Sequence, residues 1–314
     1  MTLDRVVVTG GAGFIGSNLA EELAGMCEVT LIDNLSTGQI GNIGNLVKYY
    51  NVDFIEGSIN DLDLLRRAFD GAYCIFHQAA IPSVQRSLED PLSTNEVNVT
   101  GTLKVLVAAR DCGVNKVVYA SSSSVYGDSL ELPKREDMLP NPKSPYAISK
   151  LAGEYYCRVF SEIYGIKTIS LRYFNVYGPK QDPDSDYAAV IPKFITKILN
   201  NEPPLIFGDG EQTRDFTFVK DVVRANILAM NADLEGVFNI ASGERISINE
   251  LAKKIMEITG VHIQTVHSNP RSGDVRDSLA EVSAARDKLA YVPEFNLEKG
   301  LNETVKWFME RLLK

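Results

Sequence analysis

The sequence predicts an α/β fold, a doubly wound parallel sheet with a smaller α/β lobe at its C-terminal end. Three observations predict it. From Arg5 onward, short β-branched runs alternate with helix-length segments. The first run empties into Gly10-Gly11-Ala12-Gly13-Phe14-Ile15-Gly16, a glycine-rich turn that opens a helix. After Gly178-Pro179 the alternation breaks into shorter pieces. The expected division is residues 1–177 for the first domain and 178–314 for the second lobe, with some later segments returning to the first sheet.

Composition narrows the classes. The 314 residues are 45% hydrophobic and 23% charged, enough for a large core split over two lobes. A net charge of −9 and a pI near 5.0 leave no basic field, so neither nucleic acid nor an anionic membrane is an expected partner. No apolar run approaches the ~20 residues that span a bilayer. The chain enters a strand without a charged leader, so no targeting segment is expected. Cys27, Cys74, Cys112 and Cys157 are far apart and lie in or beside expected core elements. They read as reduced thiols, which predicts a cytoplasmic protein. His77, His262 and His267 form no ligand spacing, so no metal is expected.

Arg5-Val6-Val7-Val8-Thr9 reads as a buried strand, and the helix after the glycine turn runs to about Leu23. Gly10, Gly13 and Gly16 let the backbone approach a pyrophosphate, and the helix N-terminus offers free N–H groups. Residues 28–32 form the second strand, which ends at Asp33, 17 residues past Gly16. An acid near this spacing accepts ribose hydroxyls, and a turn-forming Asp-Asn pair is the plainer alternative. Asn34-Leu35-Ser36-Thr37-Gly38 carries no Arg or Lys for a 2′-phosphate, which predicts NAD rather than NADP. Residues 52–56 are a third strand leading to Ser58-Ile59, and a helix at 61–69 returns to a fourth strand at 74–80. Small Ala79 and Ala80 allow a cofactor close. A helix at 95–112 and a fifth strand at 116–120 follow. Gly10, Asp33, Ser58, Ala79 and Ser121 all fall at strand carboxyl ends, where such sheets bind ligands.

The fifth strand ends in Ser121-Ser122-Ser123-Ser124, which reads either as hydroxyls satisfying a turn or as a donor to a substrate oxygen. Next, Tyr146 and Lys150 lie four apart on a helix expected over 147–164. An ammonium one turn away favours a phenolate and is expected to lower the tyrosine pKa from ~10, which makes the pair a general acid/base.

With these motifs in order, the chain resembles the extended short-chain dehydrogenase/reductase superfamily, whose sheet is of the Rossmann type. Within it the chain is similar to the UDP-glucose and UDP-N-acetylglucosamine 4-epimerases. The resemblance runs through Thr-Gly-Gly-Ala-Gly-Phe-Ile-Gly-Ser at 9–17, Asp-Asn-Leu-Ser-Thr-Gly at 33–38, Arg-Tyr-Phe-Asn-Val-Tyr-Gly-Pro at 172–179 and Arg-Ser-Gly-Asp at 271–274. Gln181-Asp182-Pro183 and the stretch 187–193 bring it nearest to enzymes of N-acetylhexosamines. It implies the catalytic set Ser122, Tyr146 and Lys150. Counting back from Val125-Tyr126-Gly127 selects Ser122, with Ser123 a close second. It implies NAD contacts from Gly10, Gly13, Phe14, Ile15 and Gly16, and from Asp33, Asn34, Ser36, Thr37 and Gly38. Further contacts are implied from Ser58, Ile59, Gln78, Ala79, Ala80, Asn98 and Ser121, and from Tyr146, Lys150, Tyr173 and Val176.

For the sugar nucleotide the resemblance implies Asn175, Lys193, Arg214, Arg271 and Asp274 at the diphosphate. It places Ser83, Ser122, Ser123, Tyr146 and Gln181 at the sugar, with Ala189 and Val190 beside them. Ser278 falls where relatives carry either a tyrosine or a small residue at the hexose pocket, and its size leaves room for an N-acetyl group. Arg276 is a further cation that could join a diphosphate clamp. Two departures matter. Ser123-Ser124 stand where related dehydratases and decarboxylases carry carboxylates, which disfavours loss of water. Ser58 stands where many relatives have Asp toward the adenine. The implied activity is NAD-dependent C4 epimerisation of a UDP-hexose through a 4-keto sugar. A dehydratase, decarboxylase or oxidoreductase on the same scaffold is the alternative. A homodimer through the helices at 95–112 and 147–164 is implied, although their apolar positions could equally be internal core.

Overall fold

The computed structural model describes residues 4–49, 51–183, 189–270 and 275–312. Its centre is a parallel sheet of β1 (Arg5–Thr9), β2 (Glu28–Asp33), β3 (Val52–Glu56), β4 (Cys74–His77), β5 (Lys116–Ser122), β6 (Lys167–Tyr173) and β11 (Gly236–Ile240). The spatial order is β3-β2-β1-β4-β5-β6-β11, so the order reverses between β1 and β4, the switch point where ligands of such sheets bind. β11 comes from the C-terminal half and pairs in parallel with β6 from Ile169 to Tyr173.

Both faces are covered, and the middle strands are accordingly buried, β4 throughout and β1 after Arg5. Successive β1 residues serve opposite faces. Val6 and Val8 pack with α1 (Phe14–Leu23) and α8 (Val219–Asn231). Val7 packs with α2 (Leu62–Phe69), α5 (Thr102–Asp111) and α6 (Pro145–Tyr164).

The segment expected as one helix over 95–112 is in three parts: the end of α4 (Pro91–Asn95), a π-helical stretch (Glu96–Gly101) and α5, with α3 (Val84–Glu89) before them. The buried Asn98 bonds to the backbone of Ile81 through both ends of its amide, and the Thr102 hydroxyl donates to the Asn98 carbonyl at 2.6 Å. These bonds hold the wider turn, a distortion common at functional sites. Cys27, Cys74 and Cys157 are buried free thiols, but Cys112 is partly exposed. It sits just past the end of α5, with its Sγ turned to the Arg66 carbonyl.

The second lobe has its own core, in which Phe194, Ile195, Phe218, Leu251, Ile255 and Leu301 meet. Its strands are short and paired in twos: β7 (Val176–Tyr177) with β10 (Thr217–Phe218), β8 (Leu205–Phe207) with β13 (Val266–Ser268), and β9 (Thr213–Arg214) with β12 (Ile246–Ser247). The helices around them are α7 (Val190–Leu199), α9 (Ile248–Thr259), α10 (Ser283–Leu289) and α11 (Leu297–Leu312).

Candidate active site

The glycine turn is packed as tightly as its sequence suggests. Gly10 has φ +71°, and a Cβ there would lie 2.7 Å from the Ala79 nitrogen, so the ends of β1 and β4 touch through backbone alone. A Cβ on Gly16 would fall 2.1 Å from the Gly10 carbonyl oxygen. Gly13 caps α1 with no side-chain bond, and Phe14 and Ile15 open a first turn without an acid, so its free amides suit an anion. Asp33 is braced from both sides. It accepts from the Ala12 amide at 3.0 Å and from the Leu35 amide at 2.8 Å, and a Cβ on Gly38 would lie 2.8 Å from its carboxylate. Asp33 therefore makes the plain turn contact and still keeps lone pairs for ribose hydroxyls. Asn34 accepts from the Ser36 amide at 3.2 Å, and Ser36 and Thr37 are exposed beside it. This loop folds back on the glycine turn, with the Gln39 amide donating to the Ala12 carbonyl at 3.0 Å.

Beyond it, Ser58 accepts from the Asn60 amide at 3.1 Å, and buried Ile59 packs where a Gly101 Cβ would be. Gln78, next to Ala79 and Ala80, donates to the Tyr173 hydroxyl at 3.1 Å and to Asn226 at 3.0 Å. Burial pushes the Tyr173 phenol up to about 12. Val176 lies half-buried just past this network. Two more of the expected cofactor residues bond within the protein. Asn98 is committed to Ile81 and Ser149, and the Ser121 hydroxyl donates to Glu154 beneath the site.

Ser122, Tyr146 and Lys150 converge. α6 begins cleanly: Ser144 accepts from the Ala147 amide at 3.1 Å, Pro145 fills the first turn, and Gly165 ends the helix at φ +73°. Ser122 ends β5, where its hydroxyl accepts from the Ser124 amide at 3.2 Å and lies near enough to the Tyr146 phenol to favour its ionisation. Ser123 follows in a short 3-10 turn, and the buried Ser124 hydroxyl has no partner among the described residues. Lys150 donates to the Ala120 carbonyl at 2.8 Å, and its Nζ lies 5.8 Å from the Tyr146 ring centre.

The expected pKa relation needs correcting. Burial raises the Tyr146 phenol, and the nearby Ser122 hydroxyl opposes that rise. Burial also lowers Lys150 to about 8. Spacing put the pair on one helix face but did not give its depth, and desolvation dominates there.

On the opposite side, Asn175 adopts φ +33° and donates to the Asp215 carbonyl at 2.8 Å and the Ser278 hydroxyl at 3.0 Å. Arg214 donates to the Thr213 and Arg276 carbonyls. Arg276, which read as a surface charge or a clamp residue, forms an exposed two-pronged pair with Asp209 at 2.9 and 3.0 Å. Gln181 donates to the Val176 carbonyl at 3.2 Å, while its buried Oε1 has no partner among the described residues. Ala189 precedes α7, which carries Val190 and Lys193 in its first turn. Ser83 caps α3, accepting from Arg86 at 3.0 Å. Arg271 and Asp274 lie outside the described residues.

The comparisons with known proteins match this geometry. The model of the NAD dependent epimerase/dehydratase family matches residues 6–241. This chain belongs to that family. A putative UDP-glucose 4-epimerase of Methanocaldococcus jannaschii is 40% identical over 305 residues, covering 96% of this chain and 97% of that protein. The solved UDP-N-acetylglucosamine 4-epimerase of Methanobrevibacter ruminantium, in complex with UDP-N-acetylmuramic acid, is 43% identical. It superimposes with a TM-score of 0.96 over 99% of this chain and all of that one. The UDP-glucose 4-epimerase of Thermotoga maritima, solved with UDP-glucose, is 40% identical with a TM-score of 0.94, covering 98% and 99% of the two chains.

In this member of the epimerase/dehydratase family, several supporting residues escaped the sequence reading. Glu154 and Arg172 form a buried ion pair at 2.7 Å that joins α6 to β6, and Arg172 also donates to Tyr126 at 2.8 Å. Glu154 lies one turn beyond Lys150, a spacing that could have flagged it. Asp215 accepts from Ser242, Gly243 and Ala280, fastening three segments of the second lobe. Burial pushes its carboxyl up to about 6 against those bonds. Nothing local marks Asn226, which completes the Gln78–Tyr173 network from α8.

Proposed function

We propose that this protein interconverts the C4 epimers of a UDP-hexose, with NAD held as a resident cofactor. The observation that carries the reading is the meeting of Ser122, Tyr146 and Lys150 at the carboxyl edge of a sheet whose β1–β4 junction is bared of side chains at Gly10 and Gly16. The residues present fit a dinucleotide. The glycine turn and the uncapped start of α1 suit its pyrophosphate, Asp33 a ribose, and Gln78, Ala79 and Ala80 the far end. When bound, NAD supplies reversible hydride acceptance at the sugar C4.

The chain's own residues handle the proton. Tyr146 takes the C4 hydroxyl proton, directly or through Ser122, and returns it after the 4-keto sugar has presented its other face. Lys150 places positive charge beside the phenol and favours its ionisation against the rise imposed by burial. Asn175, Lys193, Arg214, Arg271 and Asp274 hold the UDP while the sugar turns. Ser83, Ser123 and Gln181 face the sugar, with Ala189 and Val190 beside them. With serine at 123 and 124, no carboxylate stands ready to expel water. The small Ser278 admits an acetamido group, so UDP-N-acetylhexosamines are substrates alongside the plain UDP-hexoses. Tyr146→Phe is expected to keep the circular-dichroism spectrum and the bound NAD while lowering kcat by about a thousandfold or more. A rate within tenfold of wild type would remove Tyr146 from its role.

Exposed Ile148, Tyr155 and Val159 form a stripe on α6, next to exposed Leu88 and Leu92 on α3 and α4. This stripe supports a homodimer joined through α6, in a reducing cytoplasm that keeps the cysteines free. Sedimentation equilibrium at micromolar concentration is expected to give twice the chain mass. A monomer throughout would contradict the dimer.

A further inference from the structure

We propose that Tyr119 is a positioning residue whose ring seats the Lys150 ammonium beside Tyr146, so that the phenol feels the charge of Lys150. This rests on Tyr146 being the acid–base group. Tyr119 lies on β5, fully buried, and its ring centre is 5.2 Å from Lys150 Nζ. The Tyr146 ring centre is 5.8 Å from the same nitrogen. An ammonium within ~6 Å of a ring face is attracted by the ring quadrupole, most strongly where water is excluded. Lys150 is 4% exposed, and its bond to the Ala120 carbonyl engages one of three N–H groups. Aromatic faces offset part of the remaining loss of water.

The ring's place is specified from three sides. Its hydroxyl donates to the carbonyl of Lys150 itself at 3.4 Å. Gly153 faces it from the next turn of α6, and a Cβ there would lie 2.2 Å from the Tyr119 hydroxyl oxygen and 2.4 Å from Cζ. From β4, the His77 ring packs 5.6 Å away, pinned by Thr9 at 2.8 Å and Thr102 at 2.9 Å. Gly153 and Tyr119 thus fit as a pair, and the space under the catalytic lysine is shaped for an aromatic ring.

The titratable groups around this seat are His77 on β4, Tyr119 on β5, Tyr146, Glu154 and Cys157 on α6, and Arg172 on β6. Glu154 is committed to Arg172 and Ser121, and burial with the nearby Lys150 keeps His77 neutral, its pKa lowered to about 3. Lys150 is therefore the positive charge in position to act on Tyr146. A lysine without the ring spends more of its time neutral or displaced, and the phenol becomes harder to ionise. The acid limb of kcat, which follows ionisation of Tyr146, then moves to higher pH.

The test is the pH profile of kcat for the NAD-loaded enzyme in three forms. Tyr119→Phe keeps the ring and should hold the acid limb within about 0.3 pH unit of wild type. Tyr119→Leu removes the ring. Pentafluorophenylalanine at 119 keeps a ring of similar shape and reverses its quadrupole. The last two should raise the limb by about one unit, a tenfold lower kcat on the acid side, with KM within about twofold. If the leucine form does not fold, the fluorinated form decides. A limb unmoved in a folded, NAD-loaded fluorinated enzyme overturns the proposal, and so does a loss equal at every pH. An active Tyr146→Phe enzyme would instead strike the acid–base reading beneath it.

Discussion

The side of the site built on α6 and the side built around Asn175 and Arg214 are fixed in different ways. Beneath α6 lies a buried, fully bonded network. Arg172 grips Glu154 through two bonds of 2.9 and 2.7 Å, Ser121 and Tyr126 complete it, and Tyr126 passes on to Asn239 at 2.7 Å. Long strands and a 20-residue helix carry these groups. The other side rests on strands of two or three residues and on backbone contacts, with Asp215 gathering the loops. In the proposed reaction the proton-transfer group would sit on rigid elements, because proton transfer tolerates little displacement. Holding a diphosphate while its sugar turns over would demand less, and shorter elements would suffice.

Removing one member of the buried pair should show this contrast most strongly. Glu154→Ala leaves the Arg172 guanidinium uncompensated at 4% exposure and should cost about 3–5 kcal/mol in urea unfolding. A loss under about 1 kcal/mol would mean that the network does not anchor α6. A smaller and different effect is expected across the cleft. Arg214→Ala should raise KM for the UDP-sugar by roughly ten- to a hundredfold while kcat stays within about threefold, because it removes binding shared by ground and transition states. If kcat fell and KM held, the two sides would not divide the work as their construction implies.

The sequence disclosed what depends on spacing and local chemistry. Short apolar runs marked β1 to β5, whereas β6, with Lys167, Thr168, Ser170 and Arg172 among its residues, went unmarked; glycines marked the turn where backbones touch, and Tyr146 with Lys150 marked one helix face. It did not disclose what depends on which surfaces meet. Arg276 read as a surface charge or a clamp residue, and its partner Asp209, 67 positions away in sequence, was not legible. The regular pattern over 95–112 concealed a π-helical stretch held by the Asn98 side chain. Tyr119 looked like any aromatic strand residue, because its relation to Lys150 and Gly153 exists only once α6 lies on β5. The direction of the Tyr146 shift was misjudged for the same reason: an i, i+4 pair is local, whereas desolvation belongs to the assembled core.

The most direct test of the central claim is to purify the protein without added NAD and supply UDP-N-acetylglucosamine, UDP-glucose and UDP-glucuronate separately. Products are resolved by chromatography while the reduced-nicotinamide absorbance is followed. A C4 epimer accumulating to equilibrium from UDP-N-acetylglucosamine and UDP-glucose, with no net rise in that absorbance, is the predicted result. Release of water or carbon dioxide, or one reduced nicotinamide per sugar consumed, would contradict it.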